Sequence, residues 1–235
     1  MKEFYQQTKE ELLQQFHVTG HGLSGEEAKK RLVEYGENVL EEGKRKSTLQ
    51  VFFEQFCDLL VVILIIAALI SMVSGNVEST IVIIAVIVLN AILGTVQHAK
   101  AEKSLDSLKS LSSPNAKVLR DGQKVEIPSA KVVPGDILYL EAGDLVVADG
   151  RILENYSLQV NESSLTGEST NVDKSDGTLH SDCALADRAN MVYSSGLVTY
   201  GRAVVLVTAT GMDTEIGKIA ALMNATKEKK TPLQV

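Results

Sequence analysis

Residues 163–170 read SSLTGEST, a run of small polar residues that contains a single carboxylate, Glu168. A carboxylate within hydrogen-bond reach of a water molecule is suited to general-base chemistry. The same composition is typical of a solvated turn, because Gly, Ser and Thr supply backbone freedom and local hydrogen bonds. On these residues alone a solvated turn is the favoured interpretation, and a catalytic role for Glu168 depends on the features of the rest of the chain.

Composition restricts the class of protein. The chain has 235 residues, of which 45% are hydrophobic, and its apolar residues are concentrated in a few stretches. This distribution favours a membrane protein with a soluble part. The net charge of −7 provides no basic field for phosphate backbones, so nucleic acid is excluded as a partner. The two cysteines, Cys57 and Cys183, form no disulfide framework, which indicates a reducing compartment for the soluble part.

Two apolar segments are candidate membrane spans, residues 58–75 and 76–97. The residues before Asp58 extend the first segment toward the roughly 20 residues that a spanning helix needs. Lysines and arginine at 44–46, and lysines after the second segment, flank a connection that carries only Glu78. The positive-inside tendency therefore places both chain ends in the cytoplasm. The alternative is a buried helical hairpin in a soluble protein, which the long charge-free runs disfavour.

A helix is predicted within residues 23–38. Ser24 and Glu27 fit a capping box at its start, and Gly36 is placed to end it. One face of this helix carries Ala28, Leu32 and Tyr35.

After the second span, apolar residues continue at helical spacing to Leu111, so the membrane helix is expected to continue as a stalk that ends before Pro114. Short alternating runs follow. The first two flank Asp121-Gly122, a pair typical of a two-residue hairpin turn. Later turns are expected at Pro134-Gly135-Asp136 and Gly143-Asp144. The pattern predicts a β-rich domain.

Several sequence blocks together resemble one family. GLSGEEAKKRLVEYGEN, EQFCDLLVVILIIAALIS, VPGDILYLEAGDLVVADGRIL and LQVNESSLTGEST occur in this order around the two spans. The chain resembles the N-terminal part of P-type cation-transporting ATPases, most closely calcium-transporting ATPases of the sarcoplasmic-reticulum and secretory-pathway type and their bacterial relatives. The implied fold is an α+β membrane protein: a transmembrane helical hairpin, N-terminal helices and an inserted, β-rich, distorted jelly-roll-like actuator domain in the cytoplasm.

The resemblance also implies a division of the chain. The expected parts are N-terminal helices of the actuator domain (1–46), the first transmembrane helix (47–75), the second transmembrane helix with its stalk (76–112), the β-rich actuator domain with the TGES loop (113–220) and a linker toward a third membrane helix that the sequence does not contain (221–235).

In this family the TGES glutamate directs water at an aspartyl phosphate. Carried over, the resemblance implies that Glu168 orients and helps deprotonate the attacking water. Gly167 would let the backbone approach the phosphorylated partner closely, and Thr166 and Ser169 would shape the loop through hydroxyl hydrogen bonds.

Two acidic residues near the first span, Glu54 and Asp58, could guide cations into the pump or could be interfacial residues kept wet at a helix end, the favoured interpretation. Relatives often carry a further acid where this chain has Cys57, which weakens the first alternative. The histidines are scattered without the spacing of a metal site.

The function implied is part of an ATP-driven calcium-transporting ATPase, located as an integral protein of a bacterial plasma membrane. The resemblance implies ATP and magnesium as ligands of the full-length enzyme, with none bound by this fragment. It implies three partners: membrane lipid, the downstream phosphorylation and nucleotide-binding domains, and a cation, calcium being favoured. Because the phosphorylated aspartate is absent from the sequence, the fragment alone is expected to be inactive. The alternatives are a sodium, potassium or proton pump, and a stand-alone membrane-tethered regulatory module without catalysis.

Overall fold

The structure, a computed structural model, describes residues 2–40, 47–112, 114–167 and 169–225. The chain divides into two compact units, one of residues 42–112 and one that joins the N-terminal residues to everything after Ser112. The helices are α1 (Lys9–Gln15), α2 (Gly25–Tyr35), α3 (Thr48–Glu54), α4 (Leu59–Val73), α5 (Val77–Ser112), α6 (Ser163–Thr166) and α7 (Glu215–Ala225). The strands are β1 (Asn115–Arg120), β2 (Gln123–Pro128), β3 (Ile137–Glu141), β4 (Asp149–Asn161), β5 (Asn171–Asp173), β6 (Met191–Val192) and β7 (Leu197–Ala209).

A seven-stranded antiparallel sheet forms the centre of the first unit, which confirms the β-rich prediction. Its order is β2-β1-β3-β7-β4-β5, with β6 paired to β4. The hairpin β1–β2 turns at Asp121 and Gly122, both with positive φ (50° and 74°), as expected for a turn whose twist matches the strands. Register shifts along the β4–β7 pair mark bulges, and bulges bend these two long strands.

Both faces of the sheet are covered. One face holds a core of Val, Leu, Ile and Ala side chains contributed by β1, β3, β4 and β7. On the other face the N-terminal helices bring Leu12 and Ala28 against Ile137 and Leu206. The N-terminal residues are therefore part of the same hydrophobic core as the sheet.

Helix α2 agrees only in part with the sequence pattern. Ser24 caps it by accepting the N–H of Glu27 at 3.1 Å, and the Glu27 carboxylate pairs with Arg31 at 3.0 Å instead of reaching back to the cap. On the face that carries Ala28, Leu32 and Tyr35, Ala28 is buried, whereas 51% of Tyr35 is exposed. Arg31 is buried instead, since its guanidinium donates to the carbonyl of Pro134 at 2.8 Å.

The second unit contains the apolar segments. Helix α5 is continuous, and its stretch Val77–Leu105 is long and apolar enough to cross a membrane. The expected single helix over 47–75 is broken into Thr48–Cys57 and Leu59–Val73, which meet at a bend of 65°. The cause is Asp58, which adopts an extended backbone (ψ 134°) and caps α4 by accepting the N–H of Leu60 at 2.9 Å. Helix α4 packs against α5.

Candidate functional site

The SSLTGEST run lies in the connection between β4 and β5. Strand β4 ends at Asn161, and β5 returns antiparallel so that Asn161 faces Asn171 and Gln159 faces Asp173. Since β5 is the last strand in the sheet order, the loop emerges at one edge of the sheet. A rigid strand pair thus holds both ends of the loop.

The first half of the loop is a single helical turn, α6, built on one carbonyl. The backbone oxygen of Glu162 accepts the N–H of Leu165 at 2.9 Å, the N–H of Thr166 at 3.0 Å and the Thr166 hydroxyl at 3.1 Å. Gly167 then ends the turn in the left-handed region (φ 77°, ψ −4°) and donates its N–H to Ser163. Glycine adopts this conformation with no steric cost.

Asn161 connects the two halves of the loop. Its side-chain oxygen accepts both the N–H of Ser163 at 3.2 Å and the Ser163 hydroxyl at 2.6 Å. Its side-chain nitrogen donates to the carbonyl of Ser169 at 3.3 Å. Asn161 was not predicted to hold the loop, although Asn shortly before a run of hydroxyl residues is typical of side-chain-stabilised turns.

A buried ion pair lies at the base of the loop. Lys174 Nζ donates to Glu162 Oε2 at 2.7 Å, and the two side chains are 0% and 1% exposed. Burial raises the pKa of Glu162 and lowers that of Lys174, and the attraction between the two charges opposes both shifts. The backbone N–H of Tyr193 also favours the charged form of Glu162 and so opposes the rise in its pKa.

The Glu162–Lys174 pair was not predicted, although the sequence contains a signal for the burial of Glu162. Leu158, Val160 and Glu162 are spaced two residues apart, and all three are buried. Since side chains alternate faces along a strand, the inward face of β4 continues into Glu162.

A second buried carboxylate, Asp149, joins the sheet to the helix that follows it. It accepts the N–H of Ser194 at 2.8 Å and the N–H of Glu215, the first residue of α7, at 2.7 Å. Burial raises the pKa of Asp149 to about 6, and these two donors oppose the rise.

The other predicted site residues are distributed as follows. Glu168 lies outside the described residues, so its catalytic role stays a prediction. Glu54 is exposed at the end of α3, and Asp58 is the N-cap of α4, both in the second unit. Across the described ranges, no group of three or more His, Cys, Asp or Glu side chains is placed to hold a metal ion.

Two family models match most of the chain. Residues 110–224 match the P-type ATPase actuator domain, and residues 4–71 match the N-terminus of cation transporters and ATPases. The first match contains the whole sheet and the loop; the second contains α1 to α3 and most of α4.

Sequence similarity to individual proteins indicates the same family. A calcium-transporting ATPase of Listeria monocytogenes is 45% identical over 232 residues, and calcium-transporting ATPase 1 of Lactococcus lactis is 44% identical over 230 residues. These alignments cover 99% and 98% of this chain and 26% of each relative, so the chain spans about a quarter of their length. A sodium/potassium exporting P-type ATPase of Schizosaccharomyces pombe is 44% identical over 204 residues, which is 86% of this chain and 20% of that protein. The chain therefore belongs to the P-type cation-transporting ATPases, of which it carries the N-terminal region and the actuator domain.

Proposed function

We propose that this chain is the N-terminal part of an ATP-driven calcium pump, and that its sheet unit promotes hydrolysis of an aspartyl-phosphate intermediate. The observation that carries the proposal is the TGES run, which stands on an anchored loop inside the actuator match. The two bacterial relatives named calcium-transporting ATPases support the choice of ion.

In the proposed reaction, the Glu168 carboxylate accepts a hydrogen bond and then a proton from a water molecule. The water oxygen attacks phosphorus, the bond from phosphorus to the aspartate oxygen breaks, and inorganic phosphate and a free aspartate carboxylate result. Gly167 leaves the backbone free of a side chain where the loop meets the phosphorylated domain. Thr166 and Ser169 hold the loop, the former through its hydroxyl and the latter through its carbonyl.

The second unit is proposed to be the membrane anchor. Most large apolar side chains of α4 and α5 are exposed, for example Leu59, Ile70, Ile81 and Leu89. A surface of this kind is unfavourable in water and favourable in lipid. In the proposed topology α5 and the bent α3–α4 pair form the hairpin, both chain ends are cytoplasmic, and the membrane is a bacterial plasma membrane. The sheet unit would rotate as a rigid body and pull on the hairpin during transport.

ATP and magnesium would be held by other domains of the pump. The described residues provide no cluster of metal ligands, so no step of the proposed reaction is assigned to a metal on this chain. The partners of the sheet unit would be the phosphorylation and nucleotide-binding domains of the same polypeptide.

A pump for another cation is the second candidate. The relative from Schizosaccharomyces pombe is named as exporting sodium and potassium, and it is nearly as similar to this chain as the calcium-transporting ATPases. The residues matched here are thus compatible with more than one ion.

The test uses the full-length pump that carries this chain. Membranes are incubated with labelled ATP and either calcium, a calcium chelator, or chelator with sodium or potassium, and are then quenched in acid to trap phosphoenzyme. Acid-stable label that forms only with calcium supports a calcium pump. Label that forms in chelator with sodium or potassium contradicts it and supports the second candidate.

A further inference from the structure

On the basis of the proposed function, we propose that the buried Glu162–Lys174 ion pair is a positioning element that sets the placement of the TGES loop. Neither residue is proposed to touch the phosphate. They would act through the backbone of α6 and Gly167.

The Lys174 end of the pair is fixed by the sheet. Its N–H donates to the carbonyl of Leu158 at 2.9 Å, and its carbonyl accepts the side chain of Asn155 at 2.6 Å. Both partners belong to β4. The position of the ammonium group is therefore set by backbone contacts that do not depend on the loop.

The Glu162 end carries the loop. Its carbonyl accepts the N–H groups of Leu165 and Thr166 and the Thr166 hydroxyl, and the α6 turn that these bonds form precedes Gly167. Glu162 is the first residue beyond β4, where the ladder to β5 no longer fixes the backbone. The contact of its carboxylate with Lys174 is thus a buried, charged link between the α6 turn and the sheet interior, beside the packing of Leu165 and the hydrogen bond from the Ser164 hydroxyl to the carbonyl of Ser195.

The chemistry of the pair favours positioning over stability. Two charges taken out of water cost several kcal/mol each, and replacing such a pair by apolar groups of similar volume is often neutral or stabilising. Among the described residues, the pair has one direct hydrogen bond, and the backbone N–H of Tyr193 is the other group that favours the Glu162 charge, so few contacts offset the cost of burial. A directional contact nevertheless fixes orientation in a way that apolar packing does not.

If the pair had a purely structural role, its removal would lower the stability of the sheet and the order of the loop together. Removing both charges should leave the sheet as stable as before while loosening the loop. In the double variant Glu162→Met, Lys174→Met, which replaces both charges by apolar side chains, amides of residues 163–170 should exchange faster with deuterium, while those of the β1–β2 hairpin should not change. Because a misplacement of about 1 Å can cost about 100-fold in rate, phosphoenzyme decay should slow about 10- to 100-fold with no change in the KM for ATP.

The experiment compares five forms of the full-length pump: wild type, Glu168→Gln, the double variant, Glu162→Gln alone, and Lys117→Met. The last is a matched control, since Lys117 pairs with Glu141 at 3.0 Å with 43% and 61% of the two side chains exposed. An exposed pair of this kind contributes about 0–1 kcal/mol, so this variant should decay at the wild-type rate. Phosphoenzyme decay, the KM for ATP and hydrogen exchange are measured for each form.

The outcomes distinguish the two proposals. If Glu168→Gln decays at the wild-type rate, the proposed function fails. If Glu168→Gln is slow but the double variant decays like wild type, the positioning inference alone is overturned. Should the double variant lose protection in the β1–β2 hairpin as well, the single Glu162→Gln variant decides: unchanged exchange of residues 163–170 in that variant would also overturn the inference.

Discussion

Two Gly-Asp turns flank β3, Gly135-Asp136 before it and Gly143-Asp144 after it, and each aspartate forms an ion pair. The first aspartate is buried and the second is partly exposed, so substituting each of them measures how burial changes the contribution of an ion pair to stability. Asp136 is fully buried and accepts two hydrogen bonds from Arg120, at 2.9 and 2.6 Å, and one from the N–H of Val133 at 2.9 Å. Asp136→Asn removes the charge and at least one of these acceptor contacts. Breaking a buried pair costs about 3–5 kcal/mol. Because 16% of the Arg120 side chain is exposed and the substituted amide retains one oxygen acceptor, we expect the free energy of unfolding to fall by about 2–3 kcal/mol.

Asp144→Asn is the matched control. Asp144 also follows a glycine with positive φ, and it accepts the N–H of Glu141 at 3.0 Å. Its partner Lys117 lies at 3.4 Å, and the two side chains are 43% and 31% exposed. Water already screens this pair, so its loss should cost about 0–1 kcal/mol.

The assay is hydrogen exchange of the chain in detergent micelles, read on peptides from β1, β3 and β7. A loss of about 2–3 kcal/mol corresponds to exchange about 30- to 150-fold faster through global opening of the sheet. The control should change exchange by less than about fivefold. Equal effects of the two substitutions, or an effect of Asp136→Asn below about fivefold, would refute the argument from burial.

Three further predictions concern other parts of the chain. Burial raises the pKa of Asp149 from 3.8 to about 6 in the folded chain. The protonated side chain therefore contributes fully to stability below pH about 4, and about 3 kcal/mol of this contribution is lost as pH rises through 6. Urea unfolding should show this loss in wild type but not in Asp149→Asn. Gly201→Ala should destabilise the sheet by about 1–3 kcal/mol, because φ is +76° and the added carbon would collide with the carbonyl of Ser157. Gly143→Ala, where φ is +96° and the space is open, should cost less in the same thermal-unfolding measurement. A cysteine introduced at Asn76, with both native cysteines replaced by alanine, should react with an impermeant maleimide added outside intact cells, and protection there would contradict the proposed topology.

The features predicted best from sequence are those that depend on neighbouring residues. The Asp121-Gly122 turn is a local conformational requirement, and the structure has the turn at these two residues, between β1 and β2. Helix α5 ends at Ser112, two residues before Pro114, as the backbone restriction before proline requires. In the apolar segment, by contrast, hydropathy alone did not reveal the break at Asp58, because a cap depends on the backbone angle of one residue.

The charged groups in the interior were not predicted. Glu162 and Lys174 are twelve residues apart and meet only because β5 folds back on β4. The sequence pattern likewise did not indicate that Arg31 is buried, whereas the structure places its guanidinium against the carbonyl of Pro134 in the turn before β3. Composition treats each charged residue as a surface residue by default. Only the alternation along β4 indicated otherwise, and that signal is weak for a single residue at the end of a strand.

In the proposed function, Glu168 activates the water that hydrolyses the aspartyl phosphate. The most direct measurement is the decay of labelled phosphoenzyme in the full-length pump, chased with unlabelled ATP, in wild type and Glu168→Gln. We expect the variant to form phosphoenzyme to the wild-type level and to lose it about 100-fold or more slowly, the usual loss of rate when a general base is removed. Decay of the variant at the wild-type rate would contradict the account and leave Glu168 as a turn residue.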